Sequence, residues 1–177
     1  VVVDSVYSAY LFPVYDSTND KLVVAYADSG NSNSGTAIVV ATTGFPLPSV
    51  GSEVVFESGS TMYTSSAYDS TNGKVVVGYR DTSAGTGSAV VGTVSGTSIS
   101  FGSPVVFESQ ASQDVQVEFV GSGKVVIAYQ DGGHPYYGKA IVGTISGTSI
   151  SFGAEATFES SNSSNIGLAY DSSNDKL

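Results

Sequence analysis

"VVFESGSTMYTSSAYDSTNGKVVVGYRD", residues 54–81, carries the pattern that decides the fold. It aligns with "VVFESQASQDVQVEFVGSGKVVIAYQD" from Val105 and "VVVDSVYSAYLFPVYDSTNDKLVVAYAD" from Val1, and a fourth copy starts at Ala156. The alignment places four aromatic residues in register at spacings of 53, 51 and 51 residues: Tyr15, Tyr68, Phe119 and Tyr170. A period of about 51 to 53 residues is typical of blades, solenoid units or arrays.

Each copy contains four strand-like segments, here termed A to D. In the second copy they are "MYTSSAYD", "VVVGYRD", "SAVVGTV" and "SISFGSPVVFE". These runs are rich in Val, Ile, Thr, Tyr and Phe, are bounded by Gly, Ser, Asn and Asp, and show no helical period. Strands A and B are joined by the Asn-Gly turn of "STNGK", which is typical of a β-hairpin. The sequence therefore predicts an all-β antiparallel meander.

Strand B predicts how the repeats pack. In "VVVGY" the alternation places Val75, Val77 and Tyr79 on one face and Val76 and Gly78 on the other, so both faces need cover. A β-propeller, in which each blade packs between two others, meets that need. A small residue recurs at one position, as Ala25, Gly78 and Ala128, and indicates a close approach of the neighbouring blade. The rival architecture, a parallel β-helix, has shorter coils and lacks such hairpins.

The repeat predicts a single propeller with three full four-stranded blades and partial strands at both ends. We place a strand D of a preceding blade at 1–5, the blades at 6–57, 58–108 and 109–159, and a partial blade at 160–177 with a strand A near Asn165 to Asp171. A propeller typically has four to eight blades. We therefore expect either a fragment of a longer protein or self-association that closes the ring.

The phrases "YDSTNGKVVVGYRD" and "VGTVSGTSISFGSPVVFES" resemble the uncharacterised β-propeller-like repeats of marine metagenomic and marine phage proteins. The likeness covers nearly the whole chain. In the first copy "ATTGFPLPSVGSE" replaces "GTVSGTSISFGSP", and in the third "FVGSGK" lacks the turn Asp. The resemblance implies a propeller architecture and a marine microbial or viral origin, and it brings no catalytic residues.

Composition narrows the classes of partner. The chain has 177 residues, 41% of them hydrophobic, and six Lys and Arg against 16 Asp and Glu, which give a formal net charge of -10. Such a chain is expected to fold and to repel phosphate backbones, so we expect no nucleic-acid partner. Its apolar runs are far shorter than the roughly 18 residues of a membrane-spanning helix, so no membrane insertion is expected. The absence of cysteine excludes disulfides and thiolate chemistry.

Acidic residues recur at three positions of the repeat, which favours a structural role. They end strand D, open the A-to-B turn and end strand B: Asp4, Glu57, Glu108 and Glu159; Asp16, Asp69 and Asp171; Asp28, Asp81 and Asp131. In "YDSTNGK" the carboxylate is expected to accept hydrogen bonds from backbone N–H groups two or three residues on. The ends of strands B and D share one rim of a meander, which we expect to be acidic and solvated. No cofactor is expected, and Ca²⁺ on this rim or at "DSTND" is the alternative.

The sequence offers few combinations of residues that could form a catalytic site. With one His and no Cys, neither a Ser-His-Asp relay nor a His-rich zinc site is expected within this chain. Paired carboxylates for glycoside hydrolysis are available, yet the repeat accounts for nearly all of them and Trp is absent. We therefore expect no enzyme activity, with a glycoside-hydrolase-like enzyme as the alternative.

The B-to-C loops differ most between copies: "SGNSNSG", "TSAGTG" and "GGHPYYG". Variable loops on a repeated frame are where recognition tends to reside, and tyrosines suit sugars or proteins. The candidate ligand-binding residues on this rim are Asp131, His134, Tyr136, Tyr137, Arg80, Asp81 and Asp28. The leading hypothesis is a recognition or adhesion module for a glycan or protein ligand, in an extracellular, cell-surface or virion-associated protein. The alternatives are a purely structural repeat segment and a non-catalytic part of a carbohydrate-active enzyme.

Overall fold

The computed structural model describes residues 8–42, 49–133 and 135–177. Within them the chain is all-β apart from one turn of 3-10 helix at Ser29–Asn31, and the all-β prediction is confirmed. The strands are β1 Ser8–Asp16, β2 Lys21–Asp28, β3 Ser34–Ala41, β4 Val54–Asp69, β5 Lys74–Asp81, β6 Thr86–Ser95, β7 Ser98–Phe101, β8 Val105–Glu108, β9 Ser112–Gly121, β10 Lys124–Asp131, β11 Tyr137–Ser146 and β12 Ser149–Glu159.

Apart from β8, which pairs with β6, the strands pair with their neighbours in sequence, and all pairs are antiparallel. Sheet 1 consists of β1, β2, β3 and residues 54–60 of β4. Sheet 2 consists of residues 61–69 of β4 followed by β5, β6, β7 and β8, the last two both pairing with β6. Sheet 3 has the order β9-β10-β11-β12. Each sheet is thus a meander built from short local connections.

Two apolar layers hold the sheets together. Val75, Val77 and Tyr79 of β5 pack with sheet 1, whereas Val76 of the same strand packs with sheet 3. All four side chains are fully buried, as the alternation in "VVVGY" predicts. A Cβ atom added to Gly78 would lie 2.7 Å from Val117 Cγ2, so the predicted close approach of the neighbouring sheet is confirmed at this position.

Strand bounds depart from the sequence prediction in three places. The boundary predicted at 57/58, between the first and second full blades, falls inside β4, which runs unbroken from sheet 1 into sheet 2. Strand D of the second copy is divided into β7 and β8, because Pro104 between them has no N–H to donate to a ladder. The strand expected near Asn165 to Asp171 does not form: the described residues there make a single bridge, Asp171 with Lys176, and extend no ladder. The strand predicted at 1–5 lies outside the described residues.

A left-handed backbone position recurs with the repeat. Tyr10, Tyr63, Asp114 and Asn165 have φ angles of 56°, 52°, 47° and 55°. Non-glycine residues seldom adopt this region, so its return at the same place in every copy marks a shared local geometry. In β1 and β4 the residue lies within a shift of the pairing register. The backbone of the fourth copy therefore begins as the other three do.

Candidate functional site

The ends of strands B and D meet at one edge of the molecule. Asp131 ends β10, Glu108 ends β8 of the preceding sheet, and both carboxylates face the Lys139 ammonium of β11. The nitrogen lies 2.7 Å from Asp131 Oδ2 and 3.9 Å from Glu108 Oε2. The prediction that these two acidic positions share a rim is thus confirmed where sheets 2 and 3 adjoin.

Lys139 is the centre of a cluster that links these two sheets, termed the Lys139 cluster: Lys139, Asp131, Glu108, Glu155 and Tyr129. Lys139 Nζ donates to Glu155 Oε1 at 2.7 Å. The Tyr129 hydroxyl lies within hydrogen-bond distance of Glu108 Oε2 and Glu155 Oε2, at 3.2 and 3.0 Å. Four members are buried, and only the Glu155 side chain is substantially exposed, at 45%. The solvated rim expected from the sequence is wrong here, because the ion pairs allow the carboxylates to leave water.

The members of the cluster shift each other's pKa values. Burial lowers the pKa of the Lys139 ammonium, but its hydrogen bonds to Asp131 and Glu155 outweigh burial and raise the pKa. The hydrogen bond from Lys139 in turn lowers the pKa of Glu155. Burial, reinforced by the charges of Glu108 and Glu155, raises the pKa of the Tyr129 hydroxyl. One ammonium thus faces three carboxyl groups, so acceptor oxygens outnumber donors.

A cavity of about 550 Å³ opens onto the cluster. Its charged lining comes from Glu108, Asp131, Lys139 and Glu155, and Val106 and Phe107 supply apolar surface beside them. Carboxylate oxygens accept hydrogen bonds from hydroxyl groups, an ammonium donates to them, and an apolar surface can contact the C–H face of a sugar ring. The lining therefore suits a polyhydroxylated ligand.

The "GGHPYYG" loop lies beside this cavity in sequence, and none of its described residues lines it. Gly133 N donates to Asp131 Oδ1 at 2.8 Å, and Tyr137 opposes Asp131 in the β10–β11 ladder. Tyr136 is 44% exposed and has a φ angle of 58°. His134 lies outside the described residues. Asp131 therefore lines the cavity, whereas Tyr136 is an exposed residue of the adjoining loop and does not line it.

The other predicted site residues belong to the equivalent connections of sheets 1 and 2. Asp28 is buried and accepts from Gly30 N at 2.8 Å, and Asp81 accepts from Ser83 N at 2.8 Å. Both carboxylates therefore fix the first turn of their own loop. The buried Nε of Arg80 has no hydrogen-bond partner among the described residues. None of the three lines the cavity beside Lys139.

Sequence reasoning missed Lys139 and Glu155 because both lie in strands that repeat. In the strand ladders Lys139 opposes Tyr129, just as Ser88 opposes Tyr79 and Thr36 opposes Tyr26. A lysine at a position that otherwise carries hydroxyl residues was the available signal. Glu155 aligns with Glu53 and with Pro104, so its presence in the third copy is not dictated by the repeat.

The acids that open the A-to-B turn have the structural role predicted for them. Asp69 Oδ1 accepts from Thr71 N at 2.9 Å and Asn72 N at 3.2 Å, and its other oxygen accepts from the Asn72 amide at 2.7 Å. Asp16 and Asp171 make the same three bonds in their own copies. Across residues 8–42, 49–133 and 135–177 no group of three or more acidic or histidine side chains is arranged to hold a metal ion.

Comparison with known proteins gives no relative. No family model matches the chain, and neither a curated protein nor a solved structure is significantly similar to it. In the described part of the chain, no helix has the length and apolar character needed to cross a bilayer.

Proposed function

We propose that the chain is a non-enzymatic β-propeller repeat module in which sheets 1, 2 and 3 are successive blades. The support is the antiparallel meander within each sheet, the apolar layers between consecutive sheets and the recurrence of the left-handed position at Tyr10, Tyr63 and Asp114. A tyrosine of strand B also reaches the glutamate that ends the preceding blade, Tyr79 to Glu57 and Tyr129 to Glu108. Such a repeated contact is expected when blades succeed one another around an axis.

The function we propose for this module is recognition of a glycan at the rim between sheets 2 and 3. The observation that carries it is the Lys139 cluster, which lines an open cavity and has no counterpart between sheets 1 and 2. There the equivalent tyrosine, Tyr79, bonds to Glu57, and Ser88 stands where Lys139 would be. Buried ion pairs contribute little net stability, so packing alone does not account for a lysine at this one place.

Exposed aromatic surface beside the cavity fits the same ligand class. Tyr136 presents an exposed ring on the neighbouring loop, and the exposed side chain of Val106 adds apolar surface to the cavity itself. An aromatic plane packs on a sugar ring while carboxylates and ammonium groups fix its hydroxyls. We place such a module on an extracellular, cell-surface or virion-associated protein, where adhesion to carbohydrate is useful.

A glycan array, followed by calorimetry on any glycan bound, tests this function. Glu155→Gln keeps the size of the side chain and removes its charge, so we expect at least a tenfold loss of affinity, the loss of about 1.4 kcal/mol that one charge-assisted hydrogen bond represents. Glu53→Gln is the matched control, because Glu53 occupies the same repeat position and accepts from Tyr26 at 2.8 Å, away from the cavity. Its affinity should equal that of the unaltered chain.

Tyr136→Asn probes the adjoining loop without forcing its backbone. Asparagine tolerates the left-handed conformation of this residue, so the variant removes the ring and leaves the turn. A loss of glycan affinity would extend the binding surface to the loop. An array without any bound glycan, on a chain shown to be folded, would instead favour the purely structural repeat segment.

A further inference from the structure

The cavity beside Lys139 carries an excess of negative charge. Among the residues that line it, three carboxylates face the one ammonium of Lys139 and give the lining a formal charge of -2: Glu108, Asp131 and Glu155. The whole chain strengthens this field with a formal net charge of -10. A concave site of one sign attracts ligands of the opposite sign. The cavity therefore favours a cationic ligand and disfavours sugars that bear carboxylate or sulfate groups.

Hydrogen-bonding capacity gives an independent reason to expect a donor-rich ligand. An ionised carboxylate offers roughly four lone-pair positions, so Glu108 and Glu155 together offer about eight. Among the described residues, Gln110 N donates to Glu108 Oε1 at 2.9 Å and Lys139 Nζ donates to Glu155 Oε1 at 2.7 Å. The single hydroxyl proton of Tyr129, which lies between the two carboxylates, serves one of them at a time. The described residues thus use fewer than half of these acceptor positions.

Lys139 shows that carboxylates of this cavity bind an ammonium group. Its Nζ lies 2.7 Å from both Asp131 Oδ2 and Glu155 Oε1. An ammonium donates three hydrogen bonds and accepts none, whereas a sugar hydroxyl or an acetamido group also brings an acceptor, which carboxylates cannot satisfy. A ligand that carries an ammonium group therefore meets both the charge and the donor requirement.

Exposure decides which carboxylate a ligand reaches. The Glu155 side chain is 45% exposed, whereas the Glu108 side chain is 8% exposed. Val106, which is 53% exposed, lines the same cavity and offers apolar surface to the C–H face of a ring. Pro104 is the repeat equivalent of Glu155 in the second copy, so the accessible carboxylate is a feature of the third copy that the second lacks.

We propose that the ligand recognised beside Lys139 is an amino sugar, whose ammonium group binds Glu155 while a neighbouring hydroxyl accepts a hydrogen bond from Lys139. The inference rests on the glycan recognition proposed above and adds the charge of the glycan. Val106 contacts the sugar ring. Hydrogen bonds between ionised partners are about twice as strong as neutral ones, so the amine is the main determinant of specificity.

Isothermal titration calorimetry with two disaccharides tests the charge of the ligand. A glucosamine disaccharide, protonated in mildly acidic buffer, and its N-acetylated form have the same rings and differ at the amines. The amine form should bind about tenfold more tightly. Added salt should weaken the binding of this form alone, because salt screens the attraction between charges.

The outcomes distinguish this inference from the proposed function. If both disaccharides bind equally and both lose affinity in Glu155→Gln, glycan recognition at the cavity stands and the preference for an amine is overturned. If neither disaccharide binds to the folded chain, the inference is overturned, and a blank glycan array would overturn the proposed function with it.

Glu155→Gln and Glu53→Gln separate the cavity from a general attraction between an acidic chain and a cation. Each substitution removes one negative charge, but of the two residues only Glu155 lines the cavity. The preference for the amine form should disappear in Glu155→Gln and persist in Glu53→Gln. The same preference in both variants would show that the net charge of the chain attracts the ligand, and would overturn the assignment to this site.

A lysine dipeptide distinguishes an amino sugar from a peptide ligand. N-acetyl-lysyl-lysinamide carries two ammonium groups, as the glucosamine disaccharide does, but has no sugar ring to pack on Val106 or hydroxyl to accept from Lys139. It should bind about tenfold less tightly than the disaccharide. Equal affinity would assign the cavity to lysine side chains of a protein partner and overturn the proposal.

Discussion

Lys139 joins two sheets through charge. Its Nζ makes 2.7 Å contacts with Asp131 and Glu155, and Asp131 is 1% exposed. Removing one partner of a buried ion pair leaves the other without compensation, and this is more destabilising than the pair is stabilising. Besides the ligand contact proposed for it, the lysine therefore neutralises the carboxylates of Asp131 and Glu155 at the sheet boundary.

Lys139→Ala should lower the free energy of unfolding by about 3 kcal/mol, the range observed when a buried pair is broken. Urea denaturation followed by circular dichroism measures the change. Lys124→Ala is the control, since Lys124 is an exposed lysine of the same sheet, and it should be within about 0.5 kcal/mol of the unaltered chain. Equal effects of the two substitutions would mean that the Lys139 cluster contributes no special stability.

The turns between strands A and B owe their shape to one carboxylate each. Asp69 is fully buried and satisfies two backbone N–H groups as well as the amide of Asn72. The third copy reaches the same connection without an aspartate: Gly121, Ser122 and Gly123 adopt φ angles of 87°, 54° and 69°. In the third copy the glycines allow the left-handed backbone of this turn, whereas in the other copies hydrogen bonds to an aspartate fix the turn.

Asp69→Ala should lower the free energy of unfolding by about 1 to 3 kcal/mol, because three partly buried hydrogen bonds to a buried carboxylate are lost. Asp171→Ala removes the same set of bonds from an exposed turn that extends no ladder, so the unfolding midpoint should not change measurably. If only Asp69→Ala is destabilising, the stabilising effect comes from the position of the turn within a strand ladder and not from its local hydrogen bonds alone. A similar loss in both variants would contradict this division.

Local chemistry explains which elements were predictable. Hairpins such as β4–β5 follow from alternating valines and an Asn-Gly turn, and both signals lie within a few residues of each other. The Lys139 cluster required the register between β8, β10, β11 and β12, which no single stretch contains. The strand expected near Asn165 to Asp171 has the right residues, but a strand exists only with a neighbour to share its hydrogen bonds.

At the scale of the whole molecule, the dominant property is an excess of carboxylates, 16 against six basic residues. Several of these carboxylates are stabilised in their charged form by the fold. The hydrogen bond from Lys139 lowers the pKa of Glu155 below 4.5, and at Asp16 the hydrogen bonds from Asn19 and its neighbours outweigh burial and lower the pKa below 3.8. Folding thus favours release of protons from these groups.

Stability should therefore be fully present at neutral pH and fall as the pH drops below about 4.5 and through the lowered pKa values of the folded state. A group with a depressed pKa takes up its proton more readily when the chain is unfolded, so acid favours unfolding. Urea midpoints measured from neutral to acidic pH test this, and Glu155→Gln should show a shallower decline. Acid-independent midpoints would mean that these carboxylates do not stabilise the fold.

Strand β4 belongs to both sheet 1 and sheet 2. Its first half is the last strand of sheet 1 and its second half the first strand of sheet 2, with no loop between them. A break in either ladder releases the strand that the other ladder uses, so sheets 1 and 2 form one cooperative folding unit. Sheet 3 shares no strand ladder with sheet 2 and is joined to β8 through residues 109–111 outside any strand, so we expect its amides to exchange first. Hydrogen exchange should then show two classes of amide: a slower class in sheets 1 and 2, on both halves of β4, and a faster class in sheet 3.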